Sequence, residues 1–324
     1  MSLLKMSTAP HERAENTTAS LMGKVLIALA PSLIWACFIF GLRALTLTLI
    51  SVASCVASEY LFCVITKRPH TVNDLSAVVT GVLIAFNMPI SAPLWIPVFG
   101  GAFAIVVVKC LFGGMGKNIV NPALAARVFM LMSWTDQMSK FPALEQRPSA
   151  LALTVDVVSG ATPLADLKNG IISSDLPIMD MFLGNMNGCI GEVSALLLIG
   201  GGIFLILSKV ITWHIPTIYI GTVAIVTLLL PHAASAFDFK YMLAHIFSGG
   251  LMLGAIYMAT DYATSPITKW GRVIYAVGCG LITVFIRYFG GYPEGVSFAI
   301  LIMNLLVWYI DRLTKPTVFG GLAK

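Results

Sequence analysis

The sequence predicts an all-α integral membrane protein with about ten transmembrane helices, arranged as two inverted five-helix repeats. Three observations carry this reading. Only 20 basic and 15 acidic residues occur among 324, a charged share of 11% against roughly 25% in soluble domains. The hydrophobic share is 58% and the mean hydropathy +0.89, values a water-facing surface could carry only as the large apolar patches that soluble monomers avoid. Third, the second half of the chain repeats part of the first at a fixed offset.

A helix needs about 20 apolar residues to cross roughly 30 Å of hydrocarbon. Ten stretches approach that length: 23–41, 44–65, 74–90, 94–113, 119–134, 191–209, 213–231, 241–262, 270–288 and 295–311. Trp95, Trp213 and Trp270 open stretches while Trp134 and Trp308 close them, as interfacial indoles prefer. The first apolar run, from Leu21 to Gly41, is too long for the apolar region of a cleaved signal peptide. With the N-terminus inside, thirteen Lys and Arg fall at or near the inner face, including Lys24, Lys67, Lys109, Lys209 and Arg312; six, including Arg43, Lys168 and Arg287, fall at or near the outer face. That bias predicts both termini in the cytoplasm. Residues 135–190 then form an extracytoplasmic loop, and the chain divides into 1–134, a cytoplasmic N-terminus with the first repeat, the loop 135–190, and the second repeat, 191–324.

A shift of 177 positions superimposes Pro89 on Pro266, Ile90 on Ile267, Gly101 on Gly278, Ile105 on Ile282 and Val107 on Val284. It also aligns Phe112-Gly113-Gly114 with Phe289-Gly290-Gly291, and Leu124 with Leu301. Five spans per repeat, an odd number, put the halves in opposite orientation about an axis in the membrane plane. The paired breaks Asn87-Met88-Pro89 and Thr264-Ser265-Pro266 leave polar backbone at membrane depth, which lipid cannot satisfy.

Charges at membrane depth are costly and usually functional. Asp261, between Thr260 and Thr264, and Asp74 at the start of the third stretch are the candidates for an ion path, offering hard oxygen ligands to a cation or accepting a proton. The structural alternative is that Asp261 caps a broken helix and Asp74 is an interfacial N-cap. Glu59 and Arg127 are further charges within apolar stretches. The basic residues form no stripe of the kind that follows phosphates. The six cysteines contain no Cys-X-X-Cys, and His214, His232 and His245 lack metal-ligand spacing, so no metal site is expected. In the loop, Asp156-Val-Val-Ser159-Gly160-Ala161-Thr162-Pro163 presents a hydroxyl on a turn-rich patch; on its residues alone it is an ordinary turn before a short helix.

Four motifs, in order along nearly the whole chain, resemble the membrane subunit shared by the Rnf and Na⁺-pumping NADH:quinone oxidoreductase (Nqr) complexes. They are Lys109-Cys-Leu-Phe-Gly-Gly-Met-Gly-Lys-Asn118-Ile-Val-Asn121-Pro-Ala-Leu-Ala-Ala-Arg127, Ser159-Gly160-Ala161-Thr162, Ala259-Thr260-Asp261 and Tyr292-Pro-Glu-Gly295. The short N-terminal segment resembles the Rnf branch more than the Nqr branch. The resemblance implies a urea-transporter-like fold, FMN attached to Thr162 through a phosphoester within the Ser159, Gly160, Ala161 motif, and a flavin transferase that installs it. It further implies a second, non-covalent flavin (riboflavin), for which Asn118, Asn121, Arg127 and Thr264 are the candidate partners near the repeat interface. The implied role is an electron-transfer flavoprotein subunit of a translocase, the ion-translocating ferredoxin:NAD⁺ oxidoreductase of the bacterial inner membrane. It would couple electron flow to Na⁺ or H⁺ movement among the other Rnf subunits. No dinucleotide fingerprint stands between a strand and a helix here, so no complete activity is expected from this chain alone. Two alternatives stand beside it: an Nqr-type subunit passing electrons to quinone, and a non-redox inverted-repeat transporter or channel.

Overall fold

The computed structural model describes residues 17–142, 160, 162–168, 178–192, 194–231 and 237–316. Among them the secondary structure is helical, apart from an isolated bridge between Pro89 and Cys189. Helix α1 (Thr18–Phe40) starts where the Thr17 hydroxyl accepts the Ser20 N–H at 3.2 Å, a side-chain N-cap. It meets α2 (Leu42–Thr66) through Gly41 alone, whose φ of 78° suits glycine. After a 3₁₀ turn (Val72–Asp74) come α3 (Ser76–Phe86), α4 (Ile96–Cys110, wound as a π-helix from Phe103), and α5 (Pro122–Ser133). Asn121 caps α5 ahead of a proline at its first position, where the missing N–H costs nothing.

The short helices α6 (Thr135–Met138), α7 (Pro163–Lys168) and α8 (Ile178–Leu183) lie in the long loop. A 3₁₀ turn (Ile190–Glu192) leads to α9 (Ala195–Leu207) and α10 (His214–Leu229). Next, α11 (Phe239–Phe247) bends by 64° at Gly249–Gly250 into α12 (Leu251–Met258), whose second part is again π-helical. The chain closes with α13 (Lys269–Phe289) and α14 (Val296–Leu313).

Each of the ten apolar stretches is helical over much of its length. Helices α1, α2, α13 and α14 are long and apolar enough to cross a membrane, with the bent α11–α12 pair a fifth candidate; α3, α4, α5, α9 and α10 are apolar but shorter. Their outward faces carry Ile65, Phe38, Leu207 and Phe285, all exposed, as lipid-facing surfaces require. The chain is a multi-pass membrane protein.

At both proline breaks protein groups take up backbone hydrogen bonds. The fully buried Arg43 donates from Nε to the Ile90 carbonyl (2.9 Å) and from Nη2 to that of Ala92 (2.8 Å), while the Ile190 N–H donates to the Met88 carbonyl at 3.0 Å. At the second break, Arg272 Nε donates to the Pro266 carbonyl at 3.2 Å and Asp311 accepts the Ile267 N–H at 3.1 Å. These contacts supply the partners that lipid lacks.

Candidate functional site: two polar centres joined by one helix

A central cavity of about 800 Å³, part of it open to solvent, is lined by both halves of the chain. Thr80 and Leu83 of α3, Lys109 of α4, and Asn118, Asn121 and Ala123 around the start of α5 form one side. Tyr257 and the segment Thr260–Ala263 come from the second half. The glycine-rich turn between α4 and α5 closes the cavity with Met115 and Gly116. Gly113, Gly114 and Gly116 there have φ of 112°, 96° and 82°, a run that side-chain-bearing residues resist.

Of the sequence-predicted residues, the cavity gathers Asn118, Asn121 and Asp261. Thr264 stands behind them, its hydroxyl donating to Asp261 Oδ2 at 3.1 Å. Asn121 is already occupied: Oδ1 accepts the Ala123 and Leu124 N–H groups, and Nδ2 donates to the Met258 carbonyl at 3.2 Å. Asn118 is buried, and among the described residues its amide makes no hydrogen bond, so it faces the cavity unused. Asp74 does not line the cavity. Its Oδ1 accepts the Ser76 N–H at 2.8 Å and the Ser76 hydroxyl at 2.5 Å at the head of α3, and Ser76 in turn reaches the cavity wall. The amide of Asn304, in the orientation that satisfies its neighbours, donates to the Thr264 carbonyl (3.0 Å) and accepts the Asn121 N–H (3.1 Å). This one side chain ties the two polar segments together.

Arg127 is placed elsewhere. Six residues beyond Asn121 on α5, or about 9 Å along the axis, it is ion-paired with Glu294 and lies 3.5 Å from Cys189 Sγ. Glu192 is beside them, accepting the Cys189 N–H at 3.3 Å. It stands in the 3₁₀ turn before α9 and is buried. Thr162 borders this cluster, sharing a small cavity of about 200 Å³ with Asn187, Glu192, Gly249 and Glu294. Its half-buried hydroxyl accepts the Ala165 N–H at 3.3 Å, and Gly160 donates its N–H to the Phe141 carbonyl at 2.8 Å. Ser159 and Ala161 lie outside the described residues.

Sequence reasoning passes over Lys109, Ser76, Glu192 and Glu294. The last stands within a motif that gives it no role, and Lys109 opens the first motif, also without a role, and otherwise reads as an inner-face charge.

The helices and the two centres define a class: a multi-pass membrane protein with a polar cavity between its halves and a separate charged centre beneath a loop threonine. The chain belongs to the NQR2, RnfD, RnfE family, whose model matches residues 5–320. It is 50% identical over 319 residues to the D-type subunit of the Na⁺-translocating ferredoxin:NAD⁺ oxidoreductase complex of Acetobacterium woodii, covering 98% of this chain and 95% of that one. Identity to the D-type subunit of the proton-translocating ferredoxin:NAD⁺ oxidoreductase complex of Clostridium ljungdahlii is 37% (98% and 96% covered). To the D-type subunit of the ion-translocating oxidoreductase complex of Stutzerimonas stutzeri it is 38% (94% and 92% covered).

Proposed function

We propose that this chain is the RnfD-type subunit of an ion-translocating ferredoxin:NAD⁺ oxidoreductase, an inner-membrane electron-transfer subunit that works with the other Rnf subunits to move Na⁺ or H⁺. The observation that carries this is full-length similarity to relatives of that kind, joined to two separate polar centres such as two flavins would need. The relatives named above are D-type subunits of ion-translocating oxidoreductase complexes, which favours this reading over the Nqr-type and transporter alternatives.

The residues fit two such groups. At the outer centre, Thr162 offers a hydroxyl for the phosphoester of FMN, and the guanidinium groups of Arg127, paired with Glu294, and of Arg287, bonded to the Ser248 carbonyl, are the nearby cations. Among the described residues no carboxylate is hydrogen-bonded to the Thr162 hydroxyl, which instead accepts the Ala165 N–H, and a flavin transferase acts on it. At the inner centre, Asn118 holds an uncommitted amide against an otherwise largely apolar wall, the pattern of a cofactor pocket. A flavin bound there supplies one- and two-electron chemistry. This chain's residues orient it, exclude lipid and hold charge near it: Asn118 by hydrogen bonding, Tyr257 and Leu83 by packing. Asn121 and Thr264 act from behind, fixing the segments that carry the cavity wall. Asp261 is the cavity's carboxylate and the ion-path residue; Asp74 contributes through Ser76.

The inverted repeat is supported by how the helices pair. Across the halves, α1 packs on α9 and α5 on α14, first element with first and last with last, as a two-fold relation requires. The 177-residue shift also pairs Arg127 with Asn304, the former at the outer centre and the latter at the inner. On this arrangement ten spans cross the membrane, both termini are cytoplasmic, and 135–190 is the extracytoplasmic flavin-bearing loop.

The test is in-gel flavin fluorescence of denatured wild-type and Thr162→Ala chains co-expressed with a flavin transferase, followed by peptide mass spectrometry. A fluorescent wild-type band, abolished in the variant, with FMN mass on the Thr162 peptide is the expected outcome. A dark wild-type band beside a positive transferase control would overturn the covalent site.

A further inference from the structure

One buried ion pair has no part in the function proposed so far. Lys109 stands at the end of the π-helical part of α4, only 3% exposed, with Nζ 2.8 Å from Glu59 Oε1 and 2.6 Å from the Ser76 hydroxyl. Glu59, on α2, is fully buried. Its Oε1 also accepts the Thr71 hydroxyl at 2.6 Å, and its Oε2 has no partner among the described residues. Each buried charge costs several kcal/mol to desolvate, and apolar side chains of similar volume often serve stability as well or better. A packing role alone therefore leaves the pair unexplained. An ammonium has three N–H donors, of which Glu59 and Ser76 take two. Lys109 and its partner Ser76 line the central cavity and Glu59 does not, so of the two charges the lysine is the one at the cavity wall. π-helical turns recur at functional sites, and this one holds Lys109 at the wall.

We propose that Lys109 is a positioning residue whose ammonium stabilises negative charge on an electron-accepting ring held in the central cavity. This rests on the reading that a flavin occupies that cavity. An electron that reaches such a ring without a proton leaves one added negative charge. That electron derives from reduced ferredoxin and passes on toward NAD⁺ through the partner subunits, with no bond made or broken at Lys109. Glu59 anchors the ammonium at the wall and partly offsets its field.

The experiment uses the purified complex carrying Thr80→Trp, Lys109→Gln, Glu59→Gln or the double substitution Lys109→Gln/Glu59→Gln. Extractable flavin per complex and the midpoint potential of the non-covalent flavin are measured. Thr80→Trp fills the cavity and removes one flavin per complex if the cavity reading holds; an unchanged count fails that reading and takes the inference with it. With the flavin assigned, Lys109→Gln shifts the one-electron equilibrium about tenfold toward the oxidised form, which is about 59 mV lower. Glu59→Gln keeps the ammonium and removes its counter-charge, so the potential rises. Opposite signs mark charge rather than packing. Unchanged potentials, or shifts of one sign in both single variants, overturn the inference while leaving the cavity reading intact. If a single variant fails to assemble, the double substitution, which strands no buried charge, decides: a lowered potential supports the inference and an unchanged one overturns it.

Discussion

At the scale of single residues, polar side chains in apolar runs are legible as important, but their partners are not. Asn121 and Asn118 stand three apart in one motif, yet Asn121 has spent its amide on the α5 cap and the Met258 carbonyl while Asn118 keeps its own free for the cavity. Arg127 shares that motif, but the helix carries it about 9 Å away to Glu294. A pairing between residues 167 positions apart leaves no trace in local spacing. Asp74 accepts from Ser76 and meets the cavity only through that serine. Asp261 accepts from Thr264 and also lines the cavity. Asp261→Asn preserves the shape and the acceptor for Thr264 but removes the charge. We expect it to lower ion-coupled turnover at least tenfold in proteoliposomes, with little change in flavin content; undiminished pumping would exclude Asp261 from the ion path.

At the scale of elements, hydrophobic run length locates all ten helical regions, because burial of apolar side chains, in lipid or in protein, needs the same periodic surface. Their ends come from caps and glycines, as at Thr17, Gly41 and Asn121. Run length does not show that the stretch 241–262 bends by 64° or that α4 and α12 widen into π-helices. Both depend on neighbours, Gly249 against Leu164 and Arg287 being one case. The proline breaks are legible as places needing hydrogen-bond partners, and Arg43 is one such partner. Arg43→Leu strips partners from the Ile90 and Ala92 carbonyls, each left at a cost of about 1–3 kcal/mol. A lowered melting temperature in detergent is expected, with Arg43→Lys intermediate, and an unshifted transition would show that water replaces the guanidinium.

At the scale of the whole molecule, the halves meet through α1 with α9 and α5 with α14, contacts that a shift of 177 positions hints at but cannot place. The topology that follows can be checked with single cysteines at two exposed positions, Met179→Cys in α8 and Leu313→Cys at the end of α14. An impermeant thiol reagent should label the first in intact cells and the second only in inverted vesicles; the reverse pattern would invert the orientation. The long loop is not a bystander to this assembly, since Leu164 and Leu167 of α7 are buried. The cap that begins α7 has a consequence for maturation. Esterification replaces the hydrogen of the Thr162 hydroxyl and leaves the oxygen, so the lone pair that receives the Ala165 N–H survives. On the proposed assignment, a cell without the modifying enzyme would accumulate a subunit that lacks the outer flavin and keeps the inner one.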